Sequence, residues 1–476
     1  MKDIRDFIAK CEEEGVLQRI KAEVDWDLEI SHIAKLNEER EGPALLFENV
    51  KGCEGAVLVG AFSTDKRLAI ALQMPTHYTL CDLAREWKDI QRKTKEVIPA
   101  QEVKVGPVME NVVEGEDVDL SKLPAPRFYE KDGGRYIGTA AFMIIRDPET
   151  QMINMGIYRM QLLDEKSTGI QLLKGKRGER ILGKYRKIGK PMPVAIVIGC
   201  DPIYLMAGSV MIEGASQFDI VGTLRGTPSE VIISDLTGLP LPARAEIILE
   251  GEVDSDDLRD EGPFGEYTGY YSDEWREKIP KPAVRVRRVL YRNNPILWAM
   301  SQGRPVTDTH MLLALTRTAT LWTDLDQMRI PGIQSVCVLP EAAGRFWAIV
   351  SVKQIYPGHS NQVASAVIST TTGSYGIKGV IIVDDDIKAD DISRVFWALA
   401  VRYDPYRSTE IIKRGRSTPL DPALDPGGNK FITSRILMDA TIPFEWETKP
   451  YEIKTTDSIV DRVKSRWREY GFDYDL

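Results

Sequence analysis

Pro193-Val-Ala-Ile-Val-Ile198 is one of four short runs of β-forming residues, together with Ile137 to Ile145, Ala245-Glu-Ile-Ile-Leu249 and Val284 to Tyr291. Glycine and proline punctuate the chain between them. Frequent strands broken by glycine turns predict a β-barrel or sandwich domain. The pattern holds from about Gly106 to Gln302, so residues 106–302 are read as a central β domain.

Outside that stretch the period changes. Ile4, Phe7, Ile8 and Cys11 recur at helical spacing and stop at Gly15, which predicts a short amphipathic helix with a glycine end. Ala44-Leu-Leu-Phe47 reads as a strand before the turn-prone Glu48-Asn-Val-Lys-Gly52, and Leu83 to Lys95 as a second helix. Residues 1–105 are therefore a first α/β unit. Further on, Phe346-Trp-Ala-Ile-Val350 and Val380-Ile-Ile-Val383 are apolar runs of the kind buried in parallel sheets, and Ile392 to Val401 follows as a helix. Residues 303–476 form another α/β domain. In a final helix, Ile459, Val460, Val463 and Trp467 share one face before Gly471, an apolar stripe that points to packing or to a homo-oligomer. The expected fold class is α/β plus β, in the order α/β, β, α/β.

A chain of 476 residues can bury two or three cores without disulfides or metals. Its net charge of −9, with no concentrated Lys/Arg tract, argues against a nucleic-acid partner. The five cysteines are scattered, odd in number and never in Cys-x-x-Cys spacing, which excludes neither function nor fold but removes a disulfide framework and a zinc site. No apolar run approaches the roughly 18 residues that cross a bilayer. The start, Met1-Lys-Asp-Ile-Arg-Asp, is unlike a signal peptide, so no membrane partner and a cytoplasmic location are expected.

Gly178-Glu-Arg-Ile-Leu-Gly183-Lys184 has P-loop spacing, but Tyr185 stands where Mg²⁺ needs Ser or Thr. The Rossmann glycine pattern is absent. More informative are Ile153-Asn154-Met-Gly-Ile-Tyr-Arg159-Met-Gln161 and Glu261-Gly-Pro-Phe-Gly-Glu266. The bend in the second can turn two carboxylates towards one site and hold them in unequal environments, so that one keeps a proton. A solvated turn fits the same residues. Arg159, in an apolar segment, needs a carboxylate partner or a ligand; a structural ion pair would satisfy it as well.

Asn154-x-x-x-x-Arg159, followed about a hundred residues later by Glu-x-x-x-x-Glu, resembles the signature of the UbiD-type decarboxylases. Ala44-Leu-Leu-Phe-Glu-Asn-Val-Lys-Gly52, Asp132-Gly-Gly-Arg-Tyr136, Leu224-Arg-Gly226, Pro242 to Gly251 and Asp439-Ala-Thr441 are similar too, so the resemblance runs along nearly the whole chain in order. It implies a central split β-barrel that holds prenylated FMN and a C-terminal domain that closes the site and supports oligomers. Arg159, Glu261 and Glu266 would be catalytic: Arg159 orients the carboxylate or tunes the flavin, Glu261 is its charge partner, and Glu266 supplies the proton that replaces CO₂.

The resemblance also implies flavin contacts at Asn154, Gly156, Ile157, Tyr158, Gly208 and Ser209, with Lys378 within reach of the phosphate. Family members hold that phosphate through a divalent metal bound by Asn, His and Glu. Here Asn154 matches the first, but Lys176 replaces the His and Gln217 the Glu. Two readings follow: Lys176 grips the phosphate in the metal's place, or Mn²⁺ or Mg²⁺, with K⁺ beside it, binds a remodelled site at Asn154 that includes Asp219. The implied reaction is reversible (de)carboxylation of an aromatic or α,β-unsaturated acid, with CO₂ as co-substrate or product and a flavin prenyltransferase as supplier of the cofactor. A branch similar to phenylphosphate carboxylase subunits is one placement. A scaffold subunit of a multi-subunit aryl carboxylase is the alternative from another class.

Overall fold

The computed structural model describes all residues except 94–96, 174, 209–214, 272–278, 426, 452, 454 and 475–476. At its centre lies an antiparallel sheet of nine strands, curled into an open half-barrel. The path runs from Tyr136–Gly138 through Met160–Asp164, Ser167–Gly169, Ile279–Tyr291, Ile247–Glu261, Met192–Ile198 and Ala141–Arg146 to Ile153–Ile157, while Asn111–Glu114 pairs with Ile279–Tyr291.

The strand Ile247–Glu261 carries the sheet from core to site. Its first residues are buried on both faces, and then Asp254 to Asp260 alternate with solvent before burial returns at Glu261. A strand that ends on a buried carboxylate needs a cation waiting there. The ladder slips between Glu250 and Gly251, where a Cβ on Gly251 would lie 2.0 Å from the Arg285 carbonyl oxygen. Only glycine allows so close an approach.

In the amino-terminal unit the expected first helix and the Ala44–Phe47 strand are present, and the helix expected from Leu83 to Lys95 spans Leu80–Lys93, Lys95 lying outside the described residues. Helix Ile4–Glu13 buries Ile4, Phe7, Ile8 and Cys11 and is capped by Asp3, whose side chain accepts from the backbone N–H groups of Arg5 and Asp6. Its four-stranded sheet has the order Leu17–Ile20, Ala44–Phe47, Ala56–Val59, Ile296–Trp298. That last strand arrives from beyond the half-barrel and pairs in parallel with Ala56–Val59. Conversely, Gln101–Glu102 pairs with Glu230–Ile233. The units are thus stitched together by short exchanged strands.

In the carboxy-terminal unit, Trp347–Val352, Gly379–Asp384 and Ile432–Asp439 run parallel, with antiparallel strands Ile333–Val338 and Thr409–Arg416 at the edges. Helix Asp308–Gln327 enters this unit and packs on Leu80–Lys93, joined by Lys88 to Asp326 at 2.8 Å. Helix Asp457–Ser465 buries no residue, and Trp467 beyond it stacks on Phe472. Among the described residues no helix is long and apolar enough to cross a membrane.

Candidate active site

Arg159 follows the edge strand Ile153–Ile157 and turns its side chain into the half-barrel. Its Nε and Nη2 donate to Glu261 Oε1 and Oε2 at 3.0 and 2.8 Å, a bidentate pair, and Nη1 donates to Glu266 Oε1 at 2.9 Å. All three side chains are at most 10% exposed. Phe264 lies under the guanidinium, 4.6 Å from ring centroid to Cζ. The convergence expected from resemblance is therefore present.

Two carboxylates and one guanidinium buried together carry one negative charge too many. The low-dielectric surroundings resolve this by favouring a proton on one acid. Burial pushes the Glu266 carboxyl upward, Arg159 opposes the shift and Glu261 adds to it. For Arg159, burial works against the charge, but Glu261 and Glu266 more than offset it and the guanidinium is held above its ordinary value. Glu261 thus holds the guanidinium at two points and Glu266 at a third.

The bend between the two acids is braced at each backbone step. Gly262 N–H donates to Gln161 Oε1 at 2.6 Å and Gly265 N–H to Asp132 Oδ1 at 2.9 Å. Pro263 O accepts from Gly133 N–H and from the Tyr136 hydroxyl. A Cβ on Gly133 would sit 1.9 Å from Gly262 O, so Asp132-Gly133 and the bend fit only with glycine there. His310, buried, donates from Nε2 to Tyr267 O at 2.6 Å and accepts at Nδ1 from Thr307 N–H. Burial holds its pKa down to about 4, so it is the neutral imidazole. Its hydrogen bond fixes the residue next to Glu266. Asp132 and Gln161 each lie at one end of an informative stretch, Asp132 to Tyr136 and Ile153 to Gln161, but the sequence assigned neither a role.

The residues expected around a flavin phosphate divide. Asn154 is buried, and among the described residues its Nδ2 meets no hydrogen-bond acceptor. Gln217 Nε2 donates to Met155 O at 3.1 Å and its Oε1 accepts from Met155 N–H. Its amide therefore clamps the strand that carries Asn154. Lys176 is exposed at the helix start, its Nζ 5.7 Å from the Tyr375 ring centroid. Tyr158 sits between Gly156 and Gly178, either of which would collide with its ring as alanine, and Ile157 is exposed. Gly208 ends the short helix Ile203–Ala207 and is exposed; Ser209 lies outside the described residues.

Two expectations need correction. Lys378 is not free for a phosphate: its Nζ bonds both oxygens of Asp421, at 2.8 and 3.0 Å, because that carboxylate is fully buried and needs a counter-charge. Asp219 is not free for a metal: its oxygens accept from Ser216 N–H and Ala100 N–H as part of a helix capping box. Among the described residues no group of three His, Cys, Asp or Glu could hold a metal ion. The Asn154 amide, the exposed Lys176 and the helix start offer donors for a phosphate, as the Lys176 version of the site requires.

Comparison with known proteins agrees in order and extent. Models of the N-terminal, Rift-related and C-terminal domains of 3-octaprenyl-4-hydroxybenzoate carboxy-lyase match residues 8–87, 101–305 and 310–440. An uncharacterised Synechocystis protein, sll0936, is 32% identical over 493 residues, covering 99% of this chain and 96% of its own. The UbiD-class enzyme HmfF of Pelotomaculum thermopropionicum in complex with FMN superposes with a TM-score of 0.86 at 28% identity, over 98% of this chain and all of its own. An evolved dimeric form of it was solved with prFMN. The vanillic acid decarboxylase of Sedimentibacter hydroxybenzoicus, in its open form, gives 0.86 at 29% identity, over 99% of this chain and 100% of its own.

Proposed function

The chain belongs to the UbiD family of carboxy-lyases, and on that premise we propose that it catalyses reversible, non-oxidative (de)carboxylation of an aromatic or α,β-unsaturated acid with prenylated FMN. The observation that carries this reading is the buried Arg159, Glu261 and Glu266 constellation, in which burial raises the Glu266 carboxyl.

Breaking the bond to CO₂ leaves an electron pair on an sp² carbon. When bound, prenylated FMN supplies the sink for that pair. The chain supplies the rest. Arg159, held rigid by Glu261, offers a fixed positive charge to the carboxylate before it leaves. Glu266 gives its proton to the carbon and is reprotonated from solvent; run backwards, the same group removes the proton that CO₂ replaces. Asp132, Gln161 and His310 keep the Glu261 to Tyr267 segment in place. Lys176, Asn154 and the start of helix Arg177–Lys187 would hold the flavin phosphate. Exposed Phe396, Trp397 and Val401 on helix Ile392–Val401, with Ile459 near the terminus, support a homo-oligomer as the working form.

The test is co-expression with a flavin prenyltransferase, absorbance of the purified protein, and incorporation of ¹³C-bicarbonate into a panel of aromatic and unsaturated acids. Bound flavin with exchange into at least one acid is expected. A colourless protein that gains exchange only from a sister chain would replace this reading with the scaffold one.

A further inference from the structure

Between the amino- and carboxy-terminal units lies a cavity of about 320 Å³ that no part of the decarboxylase reading uses. Five carboxylates line it: Glu38, Glu41 and Asp65 from the first unit, Glu341 and Asp390 from the last. Glu38 ends helix Glu29–Glu38 and Asp65 opens helix Asp65–Leu72, while Glu341 lies in the turn Pro340–Ala342 and Asp390 just before helix Ile392–Val401. The acids are graded in depth. Glu38 is 6% exposed, Asp65 and Asp390 are half-buried, and Glu41 and Glu341 are exposed. Leu80, Val306, Met311, Leu339 and Ile392 supply apolar wall alongside them.

Among the described residues none of the five acids forms an ion pair, because the cations nearby are engaged elsewhere. Lys66 reaches Glu14 at 3.3 Å, Lys388 reaches Asp82 at 2.6 Å, and Lys35 donates to the Arg304 carbonyl at 2.6 Å. Arg67 donates to Gly42 O and Ser63 Oγ, and its charge is shared between Glu38 and the fully buried Asp308. The floor of the cavity adds a separate observation: Glu38 Oε1 accepts from the Ser301 hydroxyl, but Oε2 is buried with no partner. A buried carboxyl oxygen left bare is costly until a donor reaches it. Burial, and then Asp390, raise the Asp65 carboxyl to about 6, and burial raises Glu341 with Glu41 adding to the shift. Acids that raise one another in this way favour a positive charge among them.

The shape selects the kind of cation. Among the described residues no three of these groups converge as the ligands of a metal ion would. Charge spread from floor to mouth, with hydrocarbon beside it, suits a long cation whose ammonium groups are separated by methylenes. The volume is at the small end of the roughly 300 to 1,000 Å³ usual for ligand sites.

We propose that this cavity binds a linear aliphatic polyamine, which bridges the amino- and carboxy-terminal units. One ammonium group donates to Glu38 Oε2 at the floor. The methylene chain lies on Leu80, Val306 and Ile392, and further ammonium groups sit between Asp65 and Asp390 and at the mouth between Glu41 and Glu341. The site stands apart from the decarboxylase reading, since none of Arg159, Glu261 and Glu266 lines it.

The experiment is calorimetric titration of the full chain with spermidine, butane-1,4-diamine, butylamine and MgCl₂ at fixed ionic strength. One spermidine per chain should bind, about tenfold tighter than butylamine or better, the worth of one further charge-assisted hydrogen bond, with the diamine between them. Glu341→Gln, at the exposed mouth where folding is not at stake, should weaken spermidine by about three- to tenfold. Glu38→Gln, which can still accept from Ser301, and Asp65→Asn, which can still accept from Leu80 N–H, should each weaken it by about tenfold. Equal affinities for spermidine and butylamine, several spermidines bound weakly per chain, an affinity indifferent to all three substitutions, or displacement of spermidine by an equal concentration of Mg²⁺ would overturn the proposal. The second of these would assign binding to the acidic surface and the last would assign the cavity to a metal. No readout involves turnover, so the outcome is independent of the reaction proposed above.

Discussion

Replacing Glu261 with glutamine should make Glu266 a stronger acid, and this can be followed by the pH dependence of CO₂ release. The two carboxylates grip opposite sides of one guanidinium, which places them about 6 Å apart; at an effective dielectric near 20 their repulsion is about 3 kcal/mol, or roughly two pH units. Glu261 is among the groups that raise the Glu266 carboxyl, after burial itself. Removing its charge also leaves Glu266 as the sole carboxylate partner of Arg159 in the triad. Both changes favour the ionised form, so the folded pKa of Glu266 falls. Since decarboxylation needs Glu266 protonated, the alkaline limb of kcat/KM should move down by about one to two pH units. The fold should survive, because Arg159 keeps a carboxylate partner, and the loss of stability should stay within about 1 to 3 kcal/mol. An alkaline limb that stays put, in a variant with flavin bound, would refute the idea that the pair sets the proton affinity of the donor.

Glu266→Gln keeps an oxygen for Arg159 Nη1 but cannot donate the proton, so turnover should drop by about 10²- to 10⁴-fold with little change in melting temperature; near-normal turnover would remove Glu266 as donor. Lys176→Met should weaken FMN binding by about 10- to 100-fold, the worth of one charge-assisted contact, as read by flavin fluorescence. EDTA alone should leave the parent affinity unchanged, and a chelator-dependent loss of FMN would reinstate a metal. Glu38 and Asp308 are both raised above their ordinary values of 4.5 and 3.8, by burial first and, for Glu38, by Asp308 next. Their stabilising contribution is therefore full below the unfolded values and is lost as pH rises through the higher folded ones, at most about 1.4 kcal/mol per pH unit for each proton. Glu38→Gln, which can still accept from Ser301, should flatten the decline in urea midpoints between about pH 5 and pH 8; an unaltered slope would show that Glu38 is ionised in the fold.

Local elements were legible because they depend on short-range pattern. Ile4, Phe7, Ile8 and Cys11 form the buried stripe that their spacing promised, and Val380 to Val383 lies in a parallel strand with both neighbours in register. Arg159, Glu261 and Glu266 were found through resemblance, since Glu-Gly-Pro taken alone fits a solvated turn equally well. The partners of Lys378 and Asp219 were not legible: a charged side chain looks free in a sequence until the fold shows the group that claims it.

By itself the sequence determined the order of the units, the strands and helices within them, and which residue types were available for acid chemistry, because hydrophobic period and turn residues act over a few positions. Only the tertiary structure decided that burial raises the Glu266 carboxyl, that Gln217 braces the strand of Asn154, and that Arg317 and Arg345 meet beside Tyr267. Those outcomes depend on burial and on groups brought together from 28 positions apart, for Arg317 and Arg345, to 107, for Arg159 and Glu266, and the free energy of a buried charge is set by its neighbours in space.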